Sequence, residues 1–207
     1  MRSRILTCLL AITAIALTAC GPDDSYDGQP VNLDSCLGVE PDAAAGTGAP
    51  RNGVTSSDVL EGDWPWVIAG ASNPAYAEGP VRLRAGAFAR TTPPEARVSI
   101  KVLGCQWADL DGDGAIEAAA LVSENFGGSG TFISLQVLDR QRGELFGRLP
   151  AELGDRVFPY DFAIEDGVIR VGLLAHAKND PYCCPSVEET RRFAVRAMRV
   201  EPLPAEP

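Results

Sequence analysis

From about Asp58 the texture of the chain changes, and in several later stretches apolar residues recur at every second position, a period met by a strand with one covered face. Val98, Ile100 and Val102 alternate with Arg97, Ser99 and Lys101. Ile133, Leu135 and Val137 share one face of the stretch 131–139, and Phe158, Tyr160, Phe162 and Ile164 share one face of a later stretch. Pro159 falls within the latter and has no amide to give to a ladder, which predicts an edge strand. Asp166-Gly167 is a turn pair, and Ile169, Val171, Leu173 and Ala175 follow in step, so 158–165 and 168–176 read as a hairpin with a tight turn. Residues 117–123 (EAAALVS) read as a buried strand or a short helix. The stretch 191–200, with Phe193, Val195 and Ala197 in step, is open to the same two readings. Leu60, Trp64, Trp66, Val67 and Ile68, broken by Pro65, open the predicted core. Six to eight strands with little helix predict a mainly β fold, with α+β as the alternative. The expected product is a single small antiparallel sheet or sandwich over 58–203, following a signal peptide and a disordered linker.

The first residues have a different texture. Arg2 and Arg4 precede an uncharged, mostly apolar run over 5–19. That run is shorter than the roughly 20 residues a spanning helix needs, and a basic start before a short apolar run is the pattern of an export signal. Leu17-Thr18-Ala19-Cys20, followed by Gly21, resembles the lipobox of bacterial lipoproteins. The resemblance implies a diacylglyceryl group on the Cys20 sulfur, cleavage before Cys20 and acylation of the new amine. Two or more acyl chains, at about 0.8 kcal/mol per buried methylene, give stable anchoring. Residues 20–57 are rich in Gly, Pro, Asp, Ala and Ser without apolar period, and read as a disordered tether.

Losing residues 1–19 leaves a length that suits one domain plus a tail. It also removes two arginines from a chain of formal charge −10. So acidic a protein is a poor partner for nucleic acid, whose phosphates need Lys and Arg to displace counterions. Beyond Cys20 the mature chain keeps Cys36, Cys105, Cys183 and Cys184. Disulfides persist outside the cytosol, and four cysteines allow three pairings. Adjacent cysteines have Cα atoms about 3.8 Å apart, short of the usual 4.4–6.8 Å or so for a disulfide, so a Cys183–Cys184 bond would be strained. The alternatives link each of them to Cys36 or Cys105.

The most distinctive stretch is DLDGDGAIE, with Asp109, Asp111, Asp113 and Glu117 spaced along a glycine-rich turn. Carboxylates at alternate loop positions can converge on a hard cation such as Ca²⁺, which takes 6–8 or so oxygen ligands. It is not an EF-hand: Ala120 stands where the bidentate glutamate belongs. It resembles the calcium loops of integrin-type propeller repeats, which imply a tandem array; here there is one copy. The competing reading is a solvated Asp/Gly turn. The run 127–131 (GGSGT) lacks the Lys-Ser/Thr of a phosphate loop and the final glycine of a nucleophile elbow, and reads as a hairpin loop. His176 is the only histidine, so any Ser-His-Asp or Cys-His device would need it; a strand-end residue satisfied locally is the simpler reading. A zinc site of His176, Cys183 and Cys184 fits no common spacing. Residues 180–185 (DPYCCP) form a stiff loop for which a strained, reducible disulfide is conceivable, without Cys-x-x-Cys.

DLDGDG at 109–114, GGSGTF at 127–132, LGDRV at 153–157, IEDG at 164–167, His176, DPYCCP at 180–185 and TRR at 190–192 follow one another in order. Together they resemble a family of exported bacterial proteins of unassigned activity, over about residues 73–200. In that pattern CCP occurs without counterparts of Cys36 and Cys105. The resemblance therefore implies Cys183–Cys184 and Cys36–Cys105 as the pairs. The second would tie the linker to the domain and close a loop of about 70 residues, contributing about 4 kcal/mol in the chain-entropy model. The resemblance implies no catalytic residue, substrate or cofactor. The expectation is a lipid-anchored envelope protein facing outside the cytoplasm, binding an envelope protein or small ligand without catalysis. Its alternatives are a calcium-stabilised module and a redox protein acting through Cys183 and Cys184.

Overall fold

The computed structural model describes residues 31, 33–37, 53–64, 81–92 and 96–205. The leader, Cys20, Trp66, Val67 and Ile68 lie outside the described residues. Twelve strands follow in chain order: β1 (Asp63–Trp64), β2 (Val81–Arg82), β3 (Ala87–Thr92), β4 (Ala96–Ala108), β5 (Glu117–Phe126), β6 (Phe132–Gln141), β7 (Glu144–Gly147), β8 (Ala151–Asp155), β9 (Phe158–Glu165), β10 (Val168–Ala175), β11 (Val187–Arg196) and β12 (Arg199–Leu203). The protein is mainly β, and its named strands all pair antiparallel. One sheet runs β3-β4-β5-β6-β7 with β8 also on β6; the second runs β12-β11-β10-β9; β1 and β2 form a short pair. Of the two ambiguous stretches, 117–123 is strand, while 191–200 holds the end of β11, a turn at Ala197-Met198 and the start of β12, so Ala197 leaves the face predicted for it.

The two sheets enclose one core. Ala119, Leu121, Ile133, Leu135 and Val137 of the larger sheet meet Phe162, Ile169, Val171, Leu173, Phe193 and Val195 of the smaller. Each such fully buried Val, Leu, Ile or Phe contributes about 1.5–3 kcal/mol. The opposite face of the larger sheet is also covered. Ile100, Val102, Ala118, Ala120 and Val122 pack there with Cys36, Val54, Val59, Leu60 and Trp64. Strand β5 therefore has no wet face along 117–122, which is why EAAALVS shows no alternation. The sheets meet again at one edge, where the Leu149 amide donates to Met198 O at 2.7 Å and the Val200 amide to Leu149 O at 2.9 Å.

Several expectations need correction. Most of the tether predicted over 20–57 lies outside the described residues, and the short pieces that are described pack on the sheets. Leu33–Cys36 is a 3-10 turn, Cys36 and Val54 are buried, and the Val31 amide donates to Pro159 O. The helix α1 (Ser56–Glu61) starts before Asp58, on a cap built from Thr55. The Asp58 amide donates to Thr55 Oγ1 at 3.2 Å and the Thr55 amide to Asp58 Oδ2 at 2.9 Å, satisfying two of the free donors of a helix start. Strand β9 is an edge strand, as Pro159 requires. Its residues 158, 160, 162 and 164 do not share one face, however. The register slips between Gly172 and Leu173, so Asp161 faces Gly172 but Pro159 faces Leu173, and Tyr160 is the extra residue of a bulge. Pro159 and Phe162 are the buried pair instead. The hairpin turn forms as predicted, with Asp166 and Gly167 both at positive φ.

Candidate metal centre

Strand β4 ends at Ala108 and β5 starts at Glu117, so the acidic stretch is the connection between two neighbouring antiparallel strands. Its carboxylates first shape the turn itself. Asp109 accepts from the Gly112 amide at 2.7 Å and from the Gly114 amide at 3.0 Å. Asp111 accepts from the Asp113 amide at 3.2 Å, and Asp113 from the Ala115 amide at 2.8 Å. Gly112 and Gly114 have φ of 81° and 88°, a region that a Cβ disfavours. Glu117 closes the turn from the far side: its Oε2 accepts from the Leu110 amide at 2.7 Å, while Leu110 caps the inter-sheet core.

Asp109, Asp111 and Glu117 each bring a carboxylate oxygen to within 4.8 Å of the other two. Asp113, expected as a fourth ligand, is not in that group. Glu117 is 0 % exposed, and its Oε1 has no hydrogen-bond partner. Burial pushes its carboxyl up to about 7, against the favourable bond from the Leu110 amide; the negative charges of Asp111, Asp139 and Asp113 add to the rise.

Among the described residues one cation of the chain itself reaches this place. Arg148, just after β7, donates to Asp139 of β6 at 2.8 Å and also to Asp111 and to the carbonyl of Ala197 in the β11–β12 turn. Sequence reasoning missed Arg148 and Asp139, since no spacing rule links positions 111, 139, 148 and 197. The available signal was Arg148 as a lone charge in the run 145–151 (LFGRLPA); Asp139 opens the charged run 139–144 (DRQRGE) and carried none.

The other candidates serve the chain's own geometry. Asp180 accepts from the Ala177 amide at 2.7 Å, the Ser186 amide at 2.9 Å and the Ser186 hydroxyl at 2.9 Å, which ties both ends of the DPYCCP loop. The bond from Ala177, with help from Ser186 and His176, holds the Asp180 carboxyl below its ordinary value. Cys183 and Cys184 are joined to each other within that loop. Cys36 and Cys105 are joined across the covered face of the larger sheet, with Cα atoms 4.8 Å apart. Three motifs far apart in the chain meet at one end of the sandwich. The Thr131 amide donates to Asp155 Oδ1 at 2.8 Å, Arg156 lies 4.6 Å over the ring of Tyr182, and Tyr182 itself is 78 % exposed. Among the described residues no helix is long and apolar enough to cross a membrane. No protein-family model, no curated protein and no solved structure matches the chain.

Proposed function

We propose that this chain is a lipoprotein of the bacterial cell envelope, held on a membrane by lipid on Cys20. It presents a non-catalytic β-sandwich that binds an envelope protein or a small ligand. One observation carries the compartment: the bonded pair Cys36 and Cys105 sits among the buried core residues, and disulfides persist where the surroundings are oxidising. That agrees with an export signal ending at Leu17-Thr18-Ala19-Cys20. The non-catalytic reading is supported by what the polar groups are doing. Asp180 and Ser186 bond each other and the loop backbone, and Arg148 bridges strands and turns.

Mass spectrometry of the full chain produced in a bacterium tests the anchor. The expected amino-terminal peptide begins at Cys20 and carries a diacylglyceryl group, and the Cys20→Ala variant leaves the membrane fraction. A bare sulfur or an uncut amino terminus overturns the reading. The adjacent pair supports a second reading, in which Cys183, exposed on its loop, exchanges thiols with a partner. Thiol counting after equilibration with a mild glutathione buffer separates the two: no new thiol favours a fixed bridge, two favour redox exchange.

A further inference from the structure

We propose that the β4–β5 turn is a binding site for one hard divalent cation, Ca²⁺ by its donor chemistry, with Asp109, Asp111 and Glu117 as side-chain ligands. The site belongs to the folded domain and stands or falls independently of the lipid anchor.

Two observations carry it. The first is the convergence of three carboxylates from the two ends of one connection, each with an oxygen within 4.8 Å of the others. Oxygens bound to one Ca²⁺ at about 2.3–2.6 Å lie at most about 5 Å apart, so the cluster already has the span of a coordination sphere. The second is Glu117. Its side chain is 0 % exposed and Oε1 meets no donor, while Oε2 is fixed by the Leu110 amide. A buried oxygen without a partner is rare and costly in a folded protein, and a cation in the cluster supplies the missing partner.

Charge points the same way. Arg148 bonds Asp111 and Asp139, and among the described residues neither Asp109 nor Glu117 has a cationic partner. The amides of Gly112 and Gly114 hold the Asp109 carboxylate in place while leaving it acceptor capacity, since each carboxylate oxygen has two lone pairs. The donors are all oxygen, with no thiolate or imidazole in the group, which suits Ca²⁺ rather than a softer metal. The remaining ligands come from loop carbonyls or water, as Ca²⁺ tolerates in its flexible geometry.

The experiment uses the full-length lipoprotein in detergent, stripped with chelator and dialysed. Calorimetric titration with CaCl₂ gives a single-site isotherm. The melting temperature rises by about 5–10 °C once free Ca²⁺ is a hundred-fold above its Kd. Glu117→Gln keeps the side-chain size and the acceptor for Leu110, yet loses both the isotherm and the rise; Asp113→Asn keeps both. Terbium luminescence excited through tryptophan, quenched by added Ca²⁺, gives a readout on the unmutated protein should a variant fail to fold. No heat, no shift in melting and no terbium signal at millimolar ion overturn the site. A response to Mg²⁺ with none to Ca²⁺ overturns the assignment of the ion.

Discussion

The Arg148 guanidinium lies 2.8 Å from the Asp139 carboxylate, with both side chains 5 % exposed. The same guanidinium reaches Asp111 and the Ala197 carbonyl, so it ties the β4–β5 turn, strand β6 and the β11–β12 turn together. Breaking a buried pair by removing one partner leaves an uncompensated charge. Arg148→Met therefore lowers stability by about 3–5 kcal/mol in urea denaturation. Adding Asp139→Leu to that variant recovers most of the loss, because both desolvated charges then go. A double variant no better than the single one would show that the contact with Asp139 is not what holds this corner.

Glu124 on β5 is 1 % exposed, and neither carboxylate oxygen has a hydrogen-bond partner. Burial, and then the charge of Glu152, push its pKa from 4.5 to about 9. A carboxyl raised on folding favours the protonated form. Its contribution to stability is complete below pH 4.5 and is lost as pH climbs toward 9. The loss is at most about 1.4 kcal/mol per pH unit. Glu124→Gln removes that slope and gains stability at neutral pH, on the order of 3 kcal/mol. Denaturation at several pH values between 5 and 9 checks it, and parallel slopes in the two proteins would count against the buried acid.

Cys36 and Cys105 are separated by 69 positions, so their bond closes a long loop. The double variant Cys36→Ala, Cys105→Ala loses about 4 kcal/mol in the chain-entropy model. Its urea midpoint is expected to match that of the reduced native protein. A native protein whose midpoint ignores reductant would contradict the bond.

A methyl group at Gly172 would stand 2.9 Å from the Tyr160 ring and 3.0 Å from the Asp161 Cβ. The bulge at Tyr160 needs that gap. Gly172→Ala is expected to lower stability by about 1–3 kcal/mol, the usual cost of overpacking, read as a lower melting temperature. An unchanged melt would mean that the β9–β10 ladder yields without penalty.

The strands were legible where one face is wet. Arg97, Ser99 and Lys101 against Val98, Ile100 and Val102 gave β4 its direction, and Asp166-Gly167 gave the β9–β10 hairpin. Strand β5 was ambiguous because both faces are covered, which erases the period. The bulge at Tyr160 escaped because it depends on space left by Gly172 in the partner strand. Cys36 and Val54 were assigned to the tether because their apolar partners come from the sheet, not from neighbours in the chain. In the acidic turn, residue types and spacing were readable. The buried side of the cluster, Arg148 with Asp139, arrives from distant strands and has no local imprint.

The hydrogen bond from Val31 to Pro159 sets a length scale. On the proposed anchoring at Cys20, eleven residues lead from the acylated sulfur to the first attachment on the sheets among the described residues. Fully stretched, that much chain covers about 36–40 Å. Anchored in that way, the molecule would be berthed close against its own bilayer, with that length of chain as its whole leash.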